Sequence, residues 1–183
     1  MLLSKNDVLL LVIDFQEKLI DKIHDHERII DVTESVIDVF TYLKLPIIYS
    51  EQYPKGLGST IYPLRNKLLE YNCNKIEKTS FSCLSSLNDN DIRNGFFKKQ
   101  VVICGIEAHI CVLQTALDLV KRGFEVFIVN ESIGSRNADH KGDAVQRMKQ
   151  NGVTLINFEM FLFELIRDSK SKDFKSLSKF IKK

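Results

Sequence analysis

Asp14, Lys78 and Cys111 are the side chains of this sequence whose types and settings could do chemistry together. A cysteine becomes a nucleophile when its thiol loses the proton. A carboxylate within reach can take that proton, and an ammonium can hold the negative charge in place. Asp14 directly follows the apolar run Val8 to Ile13. Lys78 closes the short stretch Lys75 to Glu77, and Cys111 lies shortly beyond the run Val101 to Cys104. Each alone has an ordinary explanation. An aspartate after a strand caps a helix or loop, a lysine is solvated, and a cysteine at a helix start is a small core residue. Their coincidence at one sheet edge is what points to chemistry, because ligands of open parallel sheets bind beyond the carboxyl ends of the strands.

Such an edge needs a parallel sheet, and the hydrophobic pattern predicts one. Val8-Leu9-Leu10-Leu11-Val12-Ile13 is uninterrupted and apolar, as in a strand buried on both faces. Further strands are expected at Ile47–Tyr49, Lys75–Glu77, Val101–Gly105, Phe124–Val129 and Val153–Ile156. Helices are expected between them. In Glu27–Leu43, residues Ile29, Ile30, Val36, Ile37, Phe40 and Leu43 recur mainly at spacings of three and four. The others are Tyr62–Leu69, Ser85–Phe97, Cys111–Arg122, Ala138–Asn151 and Phe158–Arg167. Gly123 suits a left-handed helix end, and Pro54, Gly56 and Gly58 mark Glu51–Ser59 as a loop. The alternation predicts a three-layer α-β-α protein of the α/β class. Its six-stranded, mostly parallel Rossmann-like sheet should have right-handed crossovers. Residues 1–183 read as a single domain, without repeat or linker. Residues 171–183 form a lysine-rich helical tail that docks through Phe174, Leu177 and Ile181.

The bulk properties narrow the function classes. A chain of 183 residues suits one domain. Apolar residues make up 44% and charged residues 27%, an ordinary globular composition. The net charge of +2 is too small to argue for a nucleic-acid or membrane partner. No apolar run approaches the ~18 residues of a membrane span, and the N-terminus has no secretory-signal pattern. Cys73, Cys83, Cys104 and Cys111 lack C-x-x-C spacing, so neither a disulfide framework nor a zinc site is expected. A reducing, cytoplasmic setting is the expectation. The turn Asp14-Phe15-Gln16-Glu17-Lys18 lacks the glycines of a dinucleotide site.

Three segments resemble, in the same order, the signatures of isochorismatase-like cysteine hydrolases. They are Val12-Ile13-Asp14-Phe15-Gln16, Glu77-Lys78-Thr79-Ser80-Phe81-Ser82 and Gly105-Ile106-Glu107-Ala108-His109-Ile110-Cys111-Val112. Ala116-Leu117-Asp118-Leu119 and Gly123-Phe124-Glu125-Val126 also fit. The loop Glu51-Gln52-Tyr53-Pro54-Lys55-Gly56-Leu57-Gly58 resembles that of the isochorismatase domain-containing subgroup.

The resemblance implies a catalytic triad of Asp14, Lys78 and Cys111. It also implies a cis peptide bond at Ile106–Glu107, whose use is to aim the Glu107 and Cys111 backbone N–H groups at one point as an oxyanion hole. The expected reaction is hydrolysis of a small-molecule amide. Asp14 takes the thiol proton, Cys111 attacks the carbonyl, and water releases the thioester. The helix N-terminus and Lys78 are expected to lower the thiol pKa. Phe15, Gln16, Tyr53, Ala108 and His109 are candidate substrate-pocket residues, with His109 as a wall or structural residue. Arg136 is expected to meet an anionic group or to face solvent. Nicotinamidases of this family carry an Asp-x-His metal motif where this chain reads Tyr49-Ser50-Glu51-Gln52-Tyr53. His24 and His26 are expected at the surface, so no metal and no cofactor is expected. The resemblance also implies a homo-oligomer. Vinyl-ether hydrolysis, which does not need the cysteine, stays open. So does a non-catalytic interaction or thiol-sensing role on the same fold.

Overall fold

Strand β1, Val8–Ile13, is buried at every position, as its uninterrupted apolar sequence requires. It lies in the middle of the sheet in the computed structural model, which describes residues 1–87 and 97–182. The other strands are β2 (Ile47–Gln52), β3 (Asn74–Lys78), β4 (Gln100–Ile106), β5 (Glu125–Gly134) and β6 (Thr154–Ile156). They run in the order β3-β2-β1-β4-β5-β6, and every neighbouring pair is parallel. The chain therefore winds one way from β1 to β3 and the other way from β4 to β6. The reversal opens a crevice between the carboxyl ends of β1 and β4. Asp14 follows one of these strands and Cys111 the other.

Alternate residues of the strands feed two cores, as the pleat dictates. Leu10 and Val12 face a core with Phe40, Leu64 and Phe161. Helices α1 (His26–Tyr42), α2 (Tyr62–Glu70) and α5 (Phe158–Ile166) cover that side. Leu9, Leu11 and Ile13 face the other core, with Ala116, Leu119 and Met148. Helices α3 (Leu113–Lys121) and α4 (Ala138–Gln150) cover it. In the tail, Leu177 is fully buried, and Phe174 and Ile181 pack against the first core. Among the described residues no helix is long and apolar enough to cross a membrane.

Three elements differ from the sequence expectation. The helix expected from Cys111 is preceded by a π-helical turn, Ala108–Val112, so α3 begins only at Leu113. The cause is local: the Glu107 carbonyl accepts from both Ile110 N–H (3.0 Å) and Val112 N–H (3.3 Å), which widens the turn. Within Glu51–Ser59, Pro54–Leu57 winds into one helical turn. Of Ser85–Phe97, the start belongs to a 3-10 turn at Cys83–Ser86, and 88–96 lie outside the described residues.

Gly105 permits the close approach of β4 to β1. A Cβ there would stand 2.6 Å from the Ile13 Cβ and 2.9 Å from the Ile13 carbonyl oxygen.

Candidate active site

Asp14 sits just past β1 with φ of 55°, a left-handed conformation that aspartate tolerates better than most residues. Its backbone N–H donates to the Ser50 carbonyl (3.2 Å), which ties the end of β1 to β2. Its carboxylate is fully buried and fully engaged. Lys78 Nζ donates to Oδ2 at 2.6 Å, and Ser50 Oγ donates to Oδ1 at 2.6 Å. Lys78 Nζ also donates to Gln52 Oε1 at 2.7 Å, and Gln52 Nε2 in turn donates to the Thr79 carbonyl at 2.6 Å. Both side chains of the Asp14–Lys78 pair are 0% exposed. A buried ion pair survives only when further hydrogen bonds satisfy each partner, and Ser50 and Gln52 provide them here. Burial works against the Lys78 charge, but Asp14, Cys83 and Cys111 outweigh it, and its pKa stands above the ordinary lysine value.

Cys111 is buried beside Asp14 and Lys78, whose charges both act on its sulfur. Its pKa is raised, first by burial and then by the Asp14 charge, while Lys78 pulls the other way. This corrects the expectation of a lowered pKa. Lys78 is already neutralised by Asp14, so the sulfur meets a carboxylate rather than a free cation. Both the burial and the carboxylate favour the neutral thiol.

A second thiol, Cys83, shares this environment. Its backbone N–H donates to Thr115 Oγ1 (3.1 Å), one helical turn beyond Cys111, and its sulfur lies near Ser50 and Thr115. Burial pushes it up to about 11.

The turn carrying Cys111 is anchored on its far side. The Ile106–Glu107 peptide bond is cis. The buried Glu107 carboxylate accepts from Arg136 Nη2 (2.6 Å), Nε (3.1 Å) and backbone N–H (3.1 Å). Burial disfavours the Glu107 charge, yet these bonds hold its pKa below the usual glutamate value. His109 Nδ1 lies 2.9 Å from Ser135 Oγ, and its ring packs on His140 at 4.9 Å. Arg136, expected to meet an anionic group or solvent, is tied to Glu107 while 58% of its side chain stays exposed.

The pocket candidates separate. Tyr53 is 54% exposed, and its N–H donates to the Lys78 carbonyl (2.8 Å), which sets it on the rim beside the ion pair. Ala108 is buried in the Cys111 core, and His109 is half-buried next to it. Phe15 is fully buried in the core on the opposite face of the sheet, because the left-handed Asp14 breaks the alternation of the strand. Gln16 is also fully buried. It donates to the Gln52 (3.0 Å) and Gly58 (2.7 Å) carbonyls and accepts from Gln52 N–H (2.7 Å). Phe15 and Gln16 are thus corrected from pocket residues to a core residue and a strap holding the loop after β2. Sequence reading missed Ser50, Gln52 and Cys83 as neighbours of Asp14, Lys78 and Cys111. Ser50 and Gln52 carried a usable signal: polar residues two apart at the end of an apolar strand share one face. Among the described residues no cluster of His, Cys, Asp and Glu is arranged to hold a metal ion.

An all-parallel Rossmann-like sheet with polar side chains gathered at its switch point defines the class, an α/β protein of isochorismatase-like hydrolase fold. The Isochorismatase domain model matches residues 8–160, and the chain belongs to the isochorismatase family. It is 37% identical to isochorismatase family protein 1A of Dictyostelium discoideum over 96% of this chain and 86% of that one. It is 35% identical to isochorismatase domain-containing protein 2 of Danio rerio, over 98% and 89% of the two chains. Among solved structures, MAR1 ribonuclease from Caenorhabditis elegans superposes with a TM-score of 0.91 at 34% identity, covering 100% of this chain and 93% of that one.

Proposed function

We propose that the protein is a cysteine hydrolase that cleaves the C–N bond of a small-molecule amide with Asp14, Lys78 and Cys111. One observation carries this reading: a fully buried carboxylate, paired with an ammonium at 2.6 Å, lies near enough to a buried thiol to act on its charge at the crevice between β1 and β4. Asp14 takes the proton from the thiol. Net charge is unchanged within the pair, so Lys78 remains the counter-charge throughout. Cys111 Sγ bonds to the carbonyl carbon, and the carbonyl π pair moves to oxygen. The N–H groups of Glu107 and Cys111 receive that oxyanion. The amides of Ile110 and Val112 are held by the Glu107 carbonyl and do not compete for that role. The C–N bond then breaks as Asp14 protonates the departing amine. Water, deprotonated by Asp14, hydrolyses the thioester and restores the thiol.

The test is turnover of a panel of neutral and anionic small amides by the wild type, Cys111→Ala and Asp14→Asn, with an RNA and a vinyl ether as comparison substrates. Amine release in the wild type and its loss in both variants is the expected result. Cleavage surviving in Cys111→Ala would overturn the reading in favour of vinyl-ether chemistry, and RNA cleavage alone would overturn it in favour of a nuclease. An inert protein with a reactive thiol would point to sensing. The homo-oligomer implied by the family belongs to the same proposal and is read by sedimentation.

A further inference from the structure

We infer that Arg136 is a positioning residue for the oxyanion hole, acting through Glu107; the inference rests on the hole proposed above. Glu107 is tethered at both ends. Its carbonyl receives Ile110 and Val112 N–H, so it organises the π turn that carries Cys111. Its carboxylate is gripped by the Arg136 guanidinium through Nε and Nη2 and by the Arg136 backbone N–H. Bidentate, charge-assisted pairs of this kind fix orientation as well as adding energy. A second tether, His109 to Ser135, joins the same turn to the neighbouring residue of the same segment. The segment 135–136 directly follows β5, which pairs with β4 up to Ile106↔Gly134. The oxyanion-binding turn is thus referenced to the sheet frame from the side away from Asp14. Arg136 itself is more than half exposed, and Lys78 and Ser50 hold Asp14 without it. Its loss should therefore disturb the hole and spare the thiol–carboxylate pair.

That separation gives a readout independent of the natural substrate. Butanal adds to the Cys111 thiol: the S–C bond forms, the carbonyl π pair goes to oxygen, and the thiol proton ends on that oxygen. The adduct places its tetrahedral oxygen at the hole, where the N–H groups donate to it. Iodoacetamide alkylates the same sulfur by displacing iodide and develops no oxyanion. Cys111 carbamidomethylation is followed by mass spectrometry at mildly alkaline pH, with and without butanal. In the wild type, butanal should protect Cys111. One oxyanion donor is worth ~10²–10³ in rate. Arg136→Ala misaims a donor rather than deleting it, so butanal protection should weaken at least about tenfold, with the butanal-free labelling rate unchanged. Arg136→Lys, which keeps the charge but not the fork, should fall between the two. Equal protection in wild type and Arg136→Ala overturns the inference and leaves the hole standing. A parallel change in protection and in butanal-free labelling also overturns it, because it marks general loosening. No protection in the wild type removes the hole itself. Should Arg136→Ala not fold, Arg136→Lys and Arg136→Gln carry the same comparison.

Discussion

Replacing Lys78 by Met tests the buried ion pair most directly. Met matches the lysine stem in bulk but removes the charge, leaving the Asp14 carboxylate buried with Ser50 as its side-chain hydrogen-bond donor. Stranding one member of a buried pair costs about 3–5 kcal/mol. For a chain of this size each kcal/mol lowers Tm by about 2–4 °C, so the variant should melt roughly 6–20 °C below the wild type. Asp14→Leu strands the lysine instead and should cost a similar amount. The double variant removes both charges, and such replacements are often near neutral. Its loss should therefore fall well short of the sum of the singles, with a coupling energy of about 2 kcal/mol or more. Urea titration of all four proteins closes the cycle. Additive losses, or a Lys78→Met loss under about 1 kcal/mol, would refute the reasoning, since a loss that small is typical of exposed pairs.

Burial also sets the alkaline limit of stability, since it pushes Cys104 up to about 12 and Cys83 to about 11. Both groups bind the proton more tightly folded than unfolded. Their contribution is complete below the unfolded value and is lost as pH rises through the folded one, at about 1.4 kcal/mol per unit of separation. Urea midpoints should therefore drop steadily above about pH 9, and less steeply in Cys104→Ala; a flat profile would refute this. Because Cys111 rests as a thiol, its iodoacetamide labelling should be slower at neutral pH than that of a free thiol and should climb with alkalinity. Fast labelling at neutral pH contradicts the raised pKa. Gly105→Ala forces a methyl against Ile13 and should cost about 1–3 kcal/mol while reducing amide turnover more than thermal unfolding alone explains. Wild-type activity in that variant would show that the β1–β4 approach does not set the site.

The fold was legible because its signals are local. Unbroken apolar runs mark strands buried on both faces, and three-and-four spacing marks α1. The sixth strand and the last body helix emerge from the same patterns. The π turn at Ala108–Val112 was not legible, because one carbonyl takes two amides there and no residue type announces that. Phe15 and Gln16 depart from expectation for a related reason. Their neighbours in the chain do touch the site, but a single left-handed residue, Asp14, redirects the backbone beyond it.

Residue order and type determined that a carboxylate, an ammonium and a thiol would gather at the carboxyl edge of a parallel sheet, since strand periodicity and chain alternation suffice for that. Tertiary structure alone decided which charges remain available. Lys78 is neutralised by Asp14, Glu107 is locked to Arg136, and burial together with the Asp14 charge raises the thiol pKa. Coulomb interactions and desolvation depend on distances and burial across strands far apart in the chain. Those distances are set only when β1 closes on β4 at Gly105.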